Sequence, residues 1–184
     1  MSFAVALVTA IVTLNPPRVW PGMPGADRRE RVRLAALGAA LVTAALFVVA
    51  AVADPLLDSL EISEPTARIA AGVAVVVIGV RDAFAAPATI DPALPGWRAA
   101  VVPVAVPHLF APGITLLAVS ASVDRGLGQT TLVLVISMAV IVAATIWPAP
   151  GPTGARAARA GQVLVAGLAI AMGGALMVDG VLDI

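Results

Sequence analysis

The chain has no cysteine, no lysine, no tyrosine and a single histidine. Without cysteine there is no disulfide framework, no thiolate nucleophile and no cysteine-held metal site. Without lysine, all eleven cationic side chains are arginine. Only 12% of residues are charged and the formal net charge is zero, whereas an ordinary soluble domain carries roughly 25% charge. This balance implies no nucleic-acid surface. No P-loop pattern occurs, which argues against a nucleotide-driven pump. An intramembrane enzyme would need acids, bases or metal ligands clustered at one depth, and the chain offers a lone His108 and scattered aspartates. No enzymatic activity, metal or other cofactor is therefore expected. The first apolar stretch has no basic residues before it and no small-residue cleavage site after it, so it reads as a helix and not as a cleaved signal peptide.

What the chain has in quantity is apolar surface: 60% of residues are hydrophobic and the mean hydropathy is +1.03. Apolar runs of about 18 or more residues read as spanning helices. Leu34 to Ala53, Ala99 to Val123, Gly126 to Ala155 and Ala160 to Val178 are such runs. Met1 to Pro17 is shorter and ends at a proline pair. Ile69 to Val80 is charge-free and is extended by Pro65 before it and Ala83 to Ala86 after it. The pattern predicts an all-α membrane protein with six transmembrane helices in one domain, residues 1–184.

The arginines set the orientation. Arg18, Arg28, Arg29, Arg31 and Arg33 follow the first helix, Arg81 and Arg98 flank the loop after the third, and Arg156 and Arg159 separate the fifth from the sixth. Alternate loops thus hold nine of the eleven. The positive-inside rule puts those loops in the cytoplasm and both termini outside, in a multi-pass protein of the plasma (inner) membrane. The acidic loop Asp54 to Glu64 then lies outside, solvated, and Asp179 lies near the outer interface. The Arg28–Arg33 cluster orients the chain and meets anionic lipid. Arg81 snorkels to the inner interface while Asp82 pairs or faces water.

Two of the six helices are broken by proline, in corresponding places of the two halves. The first is interrupted at Asn15-Pro16-Pro17 and the fourth at Pro103, Pro107 and Ala111-Pro112-Gly113. Each broken helix is followed by two uninterrupted ones. Three helices per half make the second copy enter from the opposite side, so residues 1–90 and 97–184 read as two inverted three-helix repeats. Proline removes a backbone N–H and clashes with the preceding turn. In a membrane the freed groups are tolerated only where protein or a watery cavity satisfies them. A half-helix starting at Pro112 presents the amides of Gly113, Ile114 and Thr115 and a positive dipole end, suited to a carboxylate. A half-helix ending at Asn15 or Phe110 presents carbonyls, suited to an ammonium group or a cation. The Asn15 amide and the Thr13 and Thr115 hydroxyls add hydrogen bonds. His108, the one side chain with an ordinary pKa near neutrality, either relays a proton and touches the solute or is hydrogen-bonded within the bundle. The candidate binding set is Thr13, Asn15, Pro16, His108, Ala111, Pro112, Gly113 and Thr115. The alternative is that both breaks are plain kinks.

These motifs resemble those of the MarC-type membrane proteins, which include neutral amino acid transporters related to SnatA. Asn15-Pro16-Pro17-Arg18-Val19-Trp20-Pro21 is similar to their N-P-x-G-x-x-P motif. Pro103-Val104-Ala105-Val106-Pro107-His108-Leu109-Phe110-Ala111-Pro112-Gly113 is similar to their P-x-A-x-P-x-x-x-G-P-G motif. Arg68-Ile69-Ala70-Ala71-Gly72 and Asp179-Gly180 match further family patterns in part. Arg18 and Ala111 stand where the motifs have glycine, and His108 where an apolar residue is usual. The resemblance implies secondary transport, as export or exchange, of small neutral amino acids. A non-transporting or lipid-handling membrane protein, such as a flippase subunit or assembly partner, is the other class the composition allows. Small-residue stretches at Gly38-Ala39-Ala40, Ala70-Ala71-Gly72 and Gly161 to Gly174 suit close helix packing or a homo-oligomer interface.

Because the chain lacks cysteine, single cysteines report topology without background. Cysteines placed at Ala26 and at Ser59 should react with an impermeant maleimide from opposite sides of the membrane. Labelling from one side would discard the six-helix topology.

Overall fold

The computed structural model describes residues 1–19, 27–86, 101, 109–146 and 152–184, and among them every regular element is helical. Helix α1 (Phe3–Leu14) is capped by Ser2, whose Oγ accepts from the Val5 amide at 3.2 Å. It stops at Asn15, which takes the left-handed conformation with φ 47°. A residue before proline is pushed out of the right-handed helical region, and asparagine tolerates the left-handed one better than most. The single turn α2 (Pro16–Val19) restarts the chain, with the Arg18 amide donating to the Asn15 carbonyl at 2.9 Å.

Helix α3 (Arg28–Ala51) is capped by Asp27, which accepts from the Glu30 amide at 2.7 Å. Its start precedes the apolar run, so the arginines expected in a loop lie on the helix. The acidic segment after it is also partly helical, as α4 (Ala53–Ser59), because Leu57 packs with Ala53, Ala67 and Val119. Helix α5 (Glu64–Phe84) is capped by Ser63. Helix α6 (Pro112–Arg125) has proline at its first position, where a missing N–H costs nothing. It ends at Gly126, φ 81°. Helix α7 (Leu127–Ala144) stops well short of the predicted Ala155, since Pro148, Pro150 and Pro152 cannot continue it. Helix α8 (Pro152–Leu182) starts eight residues earlier than the apolar pattern and carries Arg156 and Arg159 on its first turns.

Three described helices are long and apolar enough to cross a membrane: α3, α7 and Gly154–Leu182 of α8. Helix α5 is 21 residues long but bears Glu64, Arg68, Arg81 and Asp82 toward its ends, and α1 and α6 are shorter. Outward faces are apolar: Leu164 is 70% exposed and Val77 60%. Inward faces hold Thr9, Thr13, Asn15, Ser120, Thr130, Ser137 and Gln162, all buried. This distribution suits hydrocarbon as the surrounding solvent, where polar groups must be satisfied within the protein.

The central contact is between α5 and α8, which run antiparallel with backbones nearly touching. A methyl at Gly72 would sit 2.6 Å from the Gly173 carbonyl oxygen, and one at Gly173 would sit 2.6 Å from that of Gly72. One helical heptad to either side, a methyl at Gly79 would lie 2.9 Å from the Ala166 oxygen and one at Gly180 would lie 2.9 Å from the Pro65 oxygen. Spacing by sevens keeps small residues facing the partner along the whole contact. Helix α1 packs on α7 and α8, while α6 packs on α3, α5 and α7. The main core gathers Ala6, Ala10, Leu46, Leu109, Ile114, Leu134 and Ile141.

Gly72→Val and Gly173→Val should each push the backbones apart and destabilise by at least about 1–3 kcal/mol, the usual cost of overpacking. Gly167→Ala, where an added methyl meets nothing within 4 Å, should stay near wild type. Thermal unfolding in detergent with far-UV circular dichroism separates the two outcomes.

Candidate functional site

The two breaks meet on one face of α5. A methyl at Gly113 would lie 2.8 Å from Ile78 Cδ1 and 3.2 Å from Thr13 Cγ2. One turn along α5, Asp82 accepts from Asn15 Nδ2 at 3.4 Å. Residues four apart share a helix face, so the end of α1 and the start of α6 lie against the same stretch, Ile78 to Asp82.

The individual groups differ in how committed they are. The Thr13 hydroxyl donates to the Thr9 carbonyl at 2.6 Å and the Thr115 hydroxyl to the Ala111 carbonyl at 3.1 Å. Both hydroxyl protons are therefore spent within their own helices. The Thr115 amide also donates to the Ala111 carbonyl, at 3.1 Å, so it is not the free donor expected from sequence. The amides of Gly113 and Ile114 have no partner within α6, and Ala111, the capping residue, has no side-chain acceptor. Ala111 and Gly113 are buried, Thr115 and Pro16 are half-buried, and Pro112 is exposed. His108, Pro103 and Pro107 lie outside the described residues. The carbonyl of Asn15 accepts from the Arg18 amide at 2.9 Å and that of Ile11 from the Asn15 amide at 3.2 Å.

Asn15 is the centre of a larger polar network that sequence reasoning did not assemble. Its Nδ2 also donates to the Gln162 carbonyl at 3.3 Å. Asp82, 3% exposed, is ion-paired with Arg18. Gln162 Nε2 donates to the carbonyls of Asp82 at 2.7 Å and Ala85 at 3.1 Å. Arg159 donates to the Ala83 carbonyl at 2.9 Å and also to that of Ala85. Side chains from α1, α2 and α8 thus close over the C-terminal end of α5. Two atoms in this network lack a partner among the described residues: Asn15 Oδ1 and Arg18 Nε. A buried polar atom left unmade costs about 1–3 kcal/mol, so an acceptor held open at a helix break is a place for a ligand's donor.

At its other end α5 carries the mirror arrangement. Arg68, 3% exposed, meets Glu64 at 2.6 Å, Asp124 at 3.0 Å and Asp179 at 3.1 Å, and also pairs with Asp183. Glu64 and Asp179, expected in a solvated loop and near the outer interface, stay partly exposed while Arg68 joins them to Asp124 and Asp183. Arg68 and Asp82 are separated by about 21 Å along the helix.

The sequence did hold a signal for these residues. Arg68, Gly72, Val75, Gly79 and Asp82 recur at spacings of three and four, and all are buried. Gln162, Ala166, Ala169, Gly173 and Leu176 recur in the same way on α8. A charge or amide on a stripe of small buried residues faces the partner helix, not the interface.

The chain matches no family model, no curated protein and no solved structure.

Arg18→Leu leaves the Asp82 carboxylate buried and unpaired and should destabilise by about 3–5 kcal/mol, whereas Arg18→Leu combined with Asp82→Leu should recover much of that loss. Melting temperatures of the two variants in the same detergent provide the comparison. Equal losses would mean that the pair is not the stabilising unit.

Proposed function

We propose that this chain is a secondary membrane transporter that exports or exchanges small neutral amino acids by alternating access around its two broken helices, in the manner of the MarC-type proteins its motifs resemble. One observation carries the reading: the buried acceptor Asn15 Oδ1 has no partner among the described residues, and Asn15 meets α5 one turn from where the start of α6, without a side-chain cap, meets the same face. A zwitterion needs a hydrogen-bond acceptor for its ammonium group and donors for its carboxylate. Asn15 Oδ1, with the Asp82 carboxylate behind it, supplies the first. The amides of Gly113 and Ile114, at a positive dipole end, supply the second. Ile78 and Asp82 are one turn apart, so the two poles are about 6 Å apart along α5. An apolar surround makes a solute of net charge costly to bury, which favours neutral amino acids over charged ones.

Alternating access needs two halves that can move against each other. In the proposed six-span arrangement the halves are α1 to α5 and the fourth span through α8. Exchanging α5 with α8 carries the Gly79–Ala166 contact onto that of Gly180 with Pro65 and leaves Gly72–Gly173 in place. Exchanging α1 with α6 carries the packing of α1 on α7 and α8 onto that of α6 on α3 and α5. Both correspondences support a two-fold axis in the membrane plane. The Asp82 network closes the end assigned to the cytoplasm and the Arg68 cluster the outer end, which fits an occluded conformation.

Proteoliposomes containing labelled alanine, serine or leucine, with and without a pH gradient, test the proposal. Wild type should exchange at least one of these solutes. Asn15→Gly keeps the left-handed backbone and removes the amide together with its bonds to Asp82 and the Gln162 carbonyl; compared with wild type at equal folded fraction, it should weaken binding by about 1–3 kcal/mol. Gly113→Val should abolish exchange. If folded wild type exchanges none of the three, the breaks are kinks and the class becomes a non-transporting or lipid-handling membrane protein.

A further inference from the structure

A second feature lies away from the breaks, on the outer surface between α3 and α7. A groove of about 690 Å³ runs there, walled by Ala36, Ala40 and Ala44 on α3 and by Val135, Ala139 and Val142 on α7. The α3 alanines recur every fourth residue, so their small side chains leave one continuous slot. The slot extends on α3 from Ala36 to Val48, about 18 Å by helical rise. Half of a bilayer's hydrocarbon core is about 15 Å. The slot is therefore about as deep as one leaflet.

Its two ends differ in charge. Arg29, Arg33, Ala36, Ala40 and Ala44 are spaced by four, three, four and four residues, so the two arginines continue the alanine face beyond the head of the slot. Both are exposed, and neither forms a salt bridge among the described residues. The opposite end, at Phe47, Val48 and Thr131, carries no charge.

We infer that this slot binds one anionic phospholipid, with an acyl chain lying between α3 and α7 and the phosphate on Arg29 and Arg33. The length, the apolar walls and the cationic head match one lipid of one leaflet. A second copy of the chain matches less well. Two copies in one membrane run parallel, so pairing through α3 would set Arg29 and Arg33 of each against those of the other, and like charges in register repel. The inference is independent of transport and stands or falls by lipid retention alone.

The test uses purified full-length protein, reconstituted into nanodiscs of equal phosphatidylglycerol and phosphatidylcholine, released into detergent and weighed by native mass spectrometry. Wild type should retain one phosphatidylglycerol in preference to phosphatidylcholine. Arg29→Gln with Arg33→Gln should cut that preference roughly 30-fold, two arginines at about 1 kcal/mol each. Ala40→Phe blocks the slot and should lose bound lipid of either headgroup; Ala139→Leu repeats the block from α7 without altering α3. Val77→Phe, on an exposed face of α5, should retain lipid as wild type does. Equal retention of the two lipids by wild type would overturn the inference, as would a preference that survives loss of both arginines. Lipid-free dimers that fall apart on Ala139→Leu would assign the slot to a second copy instead.

Discussion

The backbone contact between α5 and α8 is the constraint on which the remaining geometry rests. Gly72 and Gly173 admit no side chain at all, and the contacts seven residues to either side are nearly as close. In lipid there is no hydrophobic drive to pull helices together, and van der Waals packing of small residues takes its place. Once the two helices touch in this register, Asp82 must lie near Gln162 and Arg68 near Asp179. The ion pairs and amide bonds at the two ends follow from the glycines in the middle.

That contact also explains which polar groups can be buried. Asp82 and Arg68 would be costly inside a bundle if either stood alone. Each instead meets groups from other elements: the Asp82 carboxylate meets Arg18 on α2 and Asn15 at the end of α1, and Arg68 meets Asp124, Asp179 and Asp183 as well as Glu64. Between them the interior is lined by hydroxyls that mostly satisfy themselves on their own helix, as Thr9, Thr13 and Thr130 do with carbonyls four residues back. Among the described residues the polar atoms left without a hydrogen-bond partner are few: Asn15 Oδ1 and Arg18 Nε at the break, Arg68 Nε and Asp124 Oδ2 in the cluster at the other end of α5, and the Ser120 and Ser137 hydroxyls between them.

Much of the helical content was legible in the sequence because its causes are local. Pro16 and Pro17 end α1 wherever the chain is placed, Asn15 is a residue that tolerates the left-handed turn this requires, and Pro112 begins α6. The small residues at Gly72 and Gly173 were legible as packing surface, though not as each other's partners. The pairings of Arg18 with Asp82 and of Asn15 with Gln162 were not, since they join positions 64 and 147 residues apart and depend on a register that only the folded contact sets. Arg18 read as a topology signal and Gln162 attracted no notice, because charge counting and hydropathy average over the helix face on which a residue lies. The end of α7 was misplaced for a simpler reason: the apolar run continues through Trp147, while the prolines from 148 onward stop the helix.

Helix α7 is the shortest of the three apolar helices, at 18 residues, about 27 Å of rise. A charge is fixed near each of its ends. Arg125 stands just before Leu127 and is hydrogen-bonded to Gln129 at 2.8 Å, and Arg31 reaches the Thr145 carbonyl at 3.5 Å. Guanidinium groups settle at the boundary between hydrocarbon and headgroup. In a bilayer these two anchors make α7 a gauge of hydrocarbon thickness, set close to the usual ~30 Å. Helix α8, at 31 residues, is about 46 Å long and cannot lie upright within the same slab. It must tilt or project from one face. If α7 spans a bilayer, a thicker one would pull the Arg125 and Arg31 levels toward the core while a thinner one would be accommodated by tilt, so tolerance of membrane thickness would be one-sided.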